Sequence, residues 1–381
     1  MSRWAGIIAL CMFLAAVACG TETAPFAGAE YTPSTGVSPY KKVDINKEED
    51  LTQPFILFPG YDRDAEYMEP EVLKIGDKLW MWFELARFDE QTGELTFSAI
   101  YLLTSYDGML WDYANGGLPV LTPSLDWEEG HIGAPAVIRK DDGFYMWYCA
   151  ARGKYIGLAT STDGINWTKH PEPVLLADQR WEEGHVCSPA VVHYKGKFRM
   201  WYSGGSAGGE GQGFCAGKAI GYAESGDGIN WTKRDGKGHS SASGDEVEPV
   251  LVATQSWEAG VVGYPSVKVE QNFDRKIYKM WYTGQVPGSM YYGDASIGFA
   301  GSEDGLKWEK APEGINPILQ ERFSIHLPGI SNYLPYDESQ PVVVRLGEFH
   351  YMWFVQLDAL SMLTLGRKGI SLATCPPLEG F

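Results

Sequence analysis

Residues 127–137 read WEEGHIGAPAV, and residues 181–191 read WEEGHVCSPAV. A chain that writes one segment twice is built of repeats, so the period is sought first. Working outward, the unit runs P-[VFI]-[LI], eight residues to Trp-Glu, a second Pro with a strand, M-W-[YF], I-G-x-A, then S-x-D-G-x-x-W. The first Pro recurs at Pro54, Pro119, Pro173, Pro249 and Pro317, and the second at Pro70, Pro135, Pro189, Pro265 and Pro341. The M-W-[YF] triplet starts at Met81, Met146, Met200, Met280 and Met352. Five copies therefore share a nearly gapless register.

Each copy reads as four short strands. In copy two they cover 135–138, 144–148, 156–161 and a last one ending near 173–175. Asp163-Gly164 between apolar runs is a hairpin signal. Four antiparallel strands repeated five times predict an all-β, five-bladed β-propeller, because one blade cannot bury both its faces. Copy five stops after 369–374 without D-G-x-x-W or a fourth strand. QPFILFP at 53–59 matches the missing strand, so the N-terminal strand is expected to close the ring. The D-G turns at Ser105–Trp111, Ser161–Trp167, Ser225–Trp231 and Ser302–Trp308 resemble a shortened Asp-box of sialidase-like propellers. They read as structural, with Trp packing between blades.

The chain has 381 residues and a net charge of −18, from 31 Lys and Arg against 49 Asp and Glu. That balance disfavours nucleic acid, whose phosphates need an excess of cations. The opening MSRWAGIIALCMFLAAVACG reads as a targeting segment, with Arg3 before an apolar run too short for a comfortable membrane span. Ala16-Val17-Ala18-Cys19 resembles a bacterial lipobox, which implies lipidation of Cys19; Ala16 stands where Leu is usual, so plain secretion is the alternative. The expected organisation is a signal peptide at 1–19, a flexible tether at 20–50 and the propeller at 51–381. The protein is expected to be exported and lipid-anchored to a bacterial membrane, outer or periplasm-facing. It is expected to be a monomer that touches membrane only through that lipid. Of the remaining Cys149, Cys187, Cys215 and Cys375, Cys187 is expected to pair with Cys215 or Cys149 in an oxidising compartment.

A five-bladed propeller with P-x-V opening strands and M-W-Y second strands resembles the superfamily of five-bladed glycoside hydrolases and phosphorylases. It holds the arabinanases and xylosidases of family 43, the invertases and levansucrases of families 32 and 68, the neoagarobiose hydrolases of family 117 and the mannoside phosphorylases of family 130. The resemblance covers 53–375. It implies an active site at one end of the central channel, with acids from the opening strands of the first three blades. Glu69 occupies the blade-one acid position just before Pro. The arabinanase pattern then wants an Asp where Ala136 stands and a Glu where Cys187 stands, so two of its three acids are missing.

The candidates follow from that register. Glu69 is the base or nucleophile, with Asp337, Glu338, His131 or His185 as partner. A histidine general acid is what the neoagarobiose hydrolases imply. Because copy four keeps Trp257-Glu258 but has Val261 in place of His, the scaffold does not require the histidines. Glu128, Glu129, Glu182 and Glu183 read as blade packing and turns. Glu66, Glu71, Arg87, Arg152, Ser188, Tyr264, Tyr291 and Gln340 are candidate substrate contacts, and the loops at 203–218 and 284–295 are expected to border the site. Arg87 and Arg152 read equally as binders of an acidic sugar or as salt-bridge partners of nearby acids. No cofactor is required, although Glu66, His131, His185 and Asp337 would suit a divalent metal. The functional expectation is an exported glycan-processing enzyme, a glycoside hydrolase acting on carbohydrate. The alternatives are a non-catalytic glycan-binding lipoprotein and a metal-dependent propeller enzyme of another substrate class.

Overall fold

The computed structural model describes residues 41–42, 56, 62, 65–89, 91–92, 94–141, 143–205, 217–272, 275–285, 295–319, 322–323, 334–335, 338–347, 349–357 and 368–375. The chain divides into Met1–Thr35 and Gly36–Phe381, and every described residue lies in the second unit. The expected signal peptide, Cys19 and most of the expected tether lie outside the described residues, as do Cys215, Tyr291, Asp337 and the tips of both expected loops.

Five antiparallel sheets form the blades of a propeller ring. Blade one runs Glu66–Ile75, Lys78–Phe88, Leu95–Ser105 and Asp112–Tyr113. Blade two runs Ile132–Lys140, Gly143–Ala150, Tyr155–Ser161 and Thr168–Lys169; Leu175–Leu176 pairs the other end of its third strand. The fourth strand is therefore split rather than continuous to 173–175, and blade three repeats the split with Trp231–Lys233 and Leu251–Val252. Blade four runs Val262–Asn272, Arg275–Gln285, Ala295–Ser302 and Glu309–Lys310.

Blade five comprises Glu338–Leu346, Phe349–Leu357 and Lys368–Cys375, and an N-terminal strand does complete it. That strand is Lys41–Lys42, paired antiparallel with Thr374 and Ala373; of the 53–59 stretch expected to close the ring, all but Ile56 lies outside the described residues. These two residues thus leave the stretch read as tether. Ile56 is buried with Tyr67 and Leu79 of blade one and Trp353 and Ile370 of blade five, inside the seam between them.

The conserved-looking letters of each repeat now have physical jobs. Glu128 is fully buried and accepts from the N–H groups of Ser124 and Leu125, the Tyr148 hydroxyl and Lys169 Nζ. Glu182 and Glu258 repeat this with Tyr202 and Lys233, and with Tyr282 and Lys310. Four donors per carboxylate compensate its desolvation. Glu129 and Glu183 are exposed and pair with Lys154 and Lys218. Trp127 stacks beside Tyr148, and Gly157 makes room for both, since a Cβ there would stand 2.7 Å from the Trp127 ring.

Candidate active site

The innermost strand of every blade is broken at the same place. The residue before the second Pro takes positive φ in all five: Glu69 at 52°, Ala134 at 44°, Ser188 at 45°, Tyr264 at 49° and Gln340 at 55°. The pairing register slips across each of these residues, as in a β-bulge. Proline follows and has no N–H to lose from the ladder. Non-glycine residues in this region are strained, and such strain gathers where a site must be shaped. The five bulges, with their prolines, Glu71 and Ser266, line a narrow cavity at the centre of the ring.

Each bulge is tied to a neighbouring blade. Ser203 Oγ accepts from Tyr264 N–H at 2.9 Å, Thr283 Oγ1 from Gln340 N–H at 3.0 Å, and Gln340 Oε1 from Glu69 N–H at 2.9 Å. Between blades two and three the tie is covalent: Cys149 and Cys187 form a disulfide, Cα–Cα 5.1 Å, against Ala134 and Tyr264. This is one of the two expected pairings. Between blades one and two the tie is Glu84, which accepts from Ala134 N–H.

Glu84 was not among the sequence candidates, and it changes the site. It is 3% exposed and pairs in register with Met68, beside Glu69, which is 8% exposed; the two carboxyls are near enough to hydrogen-bond. Burial, and then the neighbouring Glu84, raise the Glu69 pKa well above the usual carboxylate range. Burial also pushes Glu84 up to about 7. Gly133 is shaped to this approach: a Cβ on it would stand 1.8 Å from Glu84 Oε2.

His131 adjoins the pair, with Nε2 3.5 Å from Glu84 Oε1. Its Nδ1 accepts the Arg152 N–H at 3.1 Å, which leaves the ring hydrogen on Nε2, facing Glu84. Burial lowers its pKa to about 4, Arg152 adding to the effect and Glu69 opposing it. A neutral imidazole at neutral pH is a hydrogen-bond donor to the carboxyl pair rather than a stored acid.

The other candidates divide by place. Glu66 stands at the entry of the same strand as Glu69 and acts electrostatically on Glu84. Ser188, Tyr264 and Gln340 line the central cavity, as expected from the register. Glu71 lies there too, 3.8 Å from Lys268 of blade four. Glu338 is fully buried, paired in register with Gln356. His185 is half-buried on the loop entering blade three, where its backbone N–H donates to Glu182 O. Arg87 takes the salt-bridge reading, with Nη2 2.7 Å from Asp62, in a separate cavity with Tyr67, Tyr101 and Tyr113. Arg152 is exposed and meets the site through its backbone. Among the described residues, no group of three or more His, Cys, Asp or Glu side chains is arranged to hold a metal ion.

No protein-family model matches the chain. It is 30% identical over 232 residues to the uncharacterized protein Rv1502 of Mycobacterium tuberculosis, covering 56% of this chain and 69% of that one. It is 30% identical over 150 residues to the uncharacterized protein MT1551 of the same species, and there it spans about half of the relative, 49%, and 38% of itself. A beta-1,2-mannobiose phosphorylase of Thermoanaerobacter is 29% identical over 104 residues, 23% of this chain and 34% of the relative. Among solved structures, a glycoside hydrolase superposes with a TM-score of 0.60 at 16% identity, covering 90% of this chain and 93% of that one. A structure from work on the GH130 family of mannoside phosphorylases, and its hydrolases of beta-1,2 mannosidic linkages in Candida mannan, gives 0.59 at 13%, covering 92% and 99%. The chain belongs to the protein family of Rv1502 and has the five-bladed propeller fold found in glycoside hydrolases and mannoside phosphorylases.

Proposed function

We propose that the chain is an exported glycan-processing enzyme that cleaves a glycosidic bond at the mouth of the propeller channel, with Glu69 as its acid. The observation that carries this reading is the Glu69 carboxyl itself. It lines the central cavity, it is buried, and its surroundings favour the protonated form, which is what a general acid needs at neutral pH. The fold supports a carbohydrate substrate by analogy, and the stretch similar to a mannobiose phosphorylase adds to it. The Cys149–Cys187 disulfide suits an oxidising, extracytoplasmic compartment. Cys19 would be the point of lipid attachment.

Glu69 and Glu84 are in direct hydrogen-bond contact, closer than the ~5 Å or more that separates two carboxyls flanking a glycosidic bond. They work as one acid unit, and the attacking nucleophile comes from outside the pair. A second reading, a glycan-binding protein without catalysis, is favoured by Ala136 and the disulfide-bound Cys187 at the positions where two more acids were expected.

The deciding experiment is an oligosaccharide library incubated with wild type and with Glu69→Gln, followed by product analysis. Cleavage by wild type, lowered on the order of a hundredfold or more in the variant at a melting temperature no lower than wild type's, is expected. Full turnover in the variant moves the chemistry elsewhere, and binding without cleavage gives the protein to the second reading.

A further inference from the structure

The tie between blades one and two has a chemistry that the other ties do not need. At the position after M-W-[YF], Ser203 and Thr283 hold the next bulge with a hydroxyl, and Cys149 holds it with a disulfide. Glu84 makes the same backbone tie with a carboxyl, and in doing so places a second acid against Glu69 in a buried setting. Two carboxyls in contact without water between them cannot both be ionised cheaply. Nothing in the tie itself calls for that cost, since a hydroxyl suffices two blades away. The structure also accommodates it deliberately: Gly133 leaves the space that Glu84 Oε2 fills.

We propose that Glu84 is a positioning residue that shares one proton with Glu69, so that the acid of this site is a carboxylic acid–carboxylate dyad. The sharing is a balanced exchange. The Glu69 O–H donates to a Glu84 oxygen, and when the proton leaves Glu69 the electron pair stays on its oxygen. Glu84 is the better anion of the two, because His131 Nε2–H faces it and Ser98 is within reach, whereas Ala134 N–H serves both carboxyls. The ionisable groups that act on the dyad are Glu66 from its own strand and His131 from the loop before blade two, and Arg152 acts in turn on that histidine. The electrostatic balance agrees, with Glu69 held protonated by burial first and by Glu84 next.

The inference rests on Glu69 being the acid proposed above, but its test uses no substrate. The full chain is labelled with carboxyl-13C glutamate, and the titration of Glu69, assigned by its loss in Glu69→Gln, is followed by NMR. In Glu84→Ser, which keeps the hydroxyl tie seen at Ser203, the Glu69 midpoint is expected to fall by about one pH unit or more. Glu84→Gln, which keeps size as well, serves if the serine variant folds poorly. Gly133→Ala is expected to give the same fall with Glu84 still present, because the new methyl displaces its carboxyl. An unchanged Glu69 midpoint in these folded variants overturns the dyad and leaves Glu84 as a tie only. If the midpoint falls but no glycan is cleaved by wild type, the dyad stands and the assigned reaction does not.

Discussion

Glu71 and Glu69 flank the same proline, yet they meet different neighbours. Glu69 faces another acid, whereas Glu71 has Lys268 at 3.8 Å across the channel. Burial still dominates and raises Glu71 to about 7, with Lys268 opposing. A carboxyl whose folded pKa lies above its unfolded value of about 4.3 contributes stability below that value and loses it as pH rises through 7. Glu71→Gln is therefore expected to melt above wild type at pH 8, with the gap closing towards pH 4.5. Lys268 is about one-third exposed, so water solvates it in the variant. Thermal melts across pH test this, and a lower melting temperature at pH 8 would mean that the ion pair outweighs burial. At this scale the sequence was readable where a repeat column singled a residue out. Glu69 stood out as the acid among Ala134, Ser188, Tyr264 and Gln340. Glu84 stood equally alone in the column of Cys149, Ser203, Thr283 and Val355. That column follows a strand motif that reads as core, which masks its carboxylate as a site residue.

The strand is the scale at which the bulge matters. A bulge with positive φ at five non-glycine residues holds only if each is over-determined by its surroundings. The cross-blade ties supply that constraint, one per seam. The strongest is the Cys149–Cys187 disulfide, which closes a sequence separation of 38 residues. A loop of that length implies roughly 3–4 kcal/mol of stabilisation in the chain-entropy view. Cys149→Ala with Cys187→Ala is expected to lose about that much in denaturant unfolding, and wild type under reducing conditions should lose a similar amount. A loss within experimental error would show that packing against Ala134 and Tyr264 already fixes the seam. Strand identities were legible because apolar alternation and D-G turns mark them. The break in the fourth strand was not, because the two short pieces, Thr168–Lys169 and Leu175–Leu176, lie close enough in sequence to read as one strand. Lys41–Lys42 was not legible as a closing strand because it carries no apolar pattern, whereas the apolar 53–59 stretch contributes the buried Ile56.

Around the whole ring, one tryptophan per blade reaches to the next. The indole N–H of Trp82 donates to Gly164 O in blade two at 3.1 Å, Trp147 to Gly228 O in blade three at 2.9 Å, and Trp201 to Gly305 O in blade four at 2.8 Å. Trp353 of blade five closes the circle on Gly108 O of blade one at 3.1 Å. Trp281 of blade four breaks the sequence. Its turn partner would belong to blade five, the copy without S-x-D-G-x-x-W, and among the described residues its buried Nε1 has no hydrogen-bond partner. Five equivalent rings, all fully buried, thus differ in one bond. Trp→Phe removes similar apolar surface at each, but at Trp147 or Trp201 it also removes one of the two indole donors on a glycine carbonyl, Trp231 and Trp308 keeping the other. Trp281→Phe is accordingly expected to be milder than Trp147→Phe or Trp201→Phe by about 1 kcal/mol, the net worth of one hydrogen bond. Guanidinium unfolding of the three variants reads the difference directly. Equal losses at all three would mean that the indole N–H bonds contribute nothing net to ring closure, and that stacking against neighbours such as Phe299 and Tyr278 carries the seams alone.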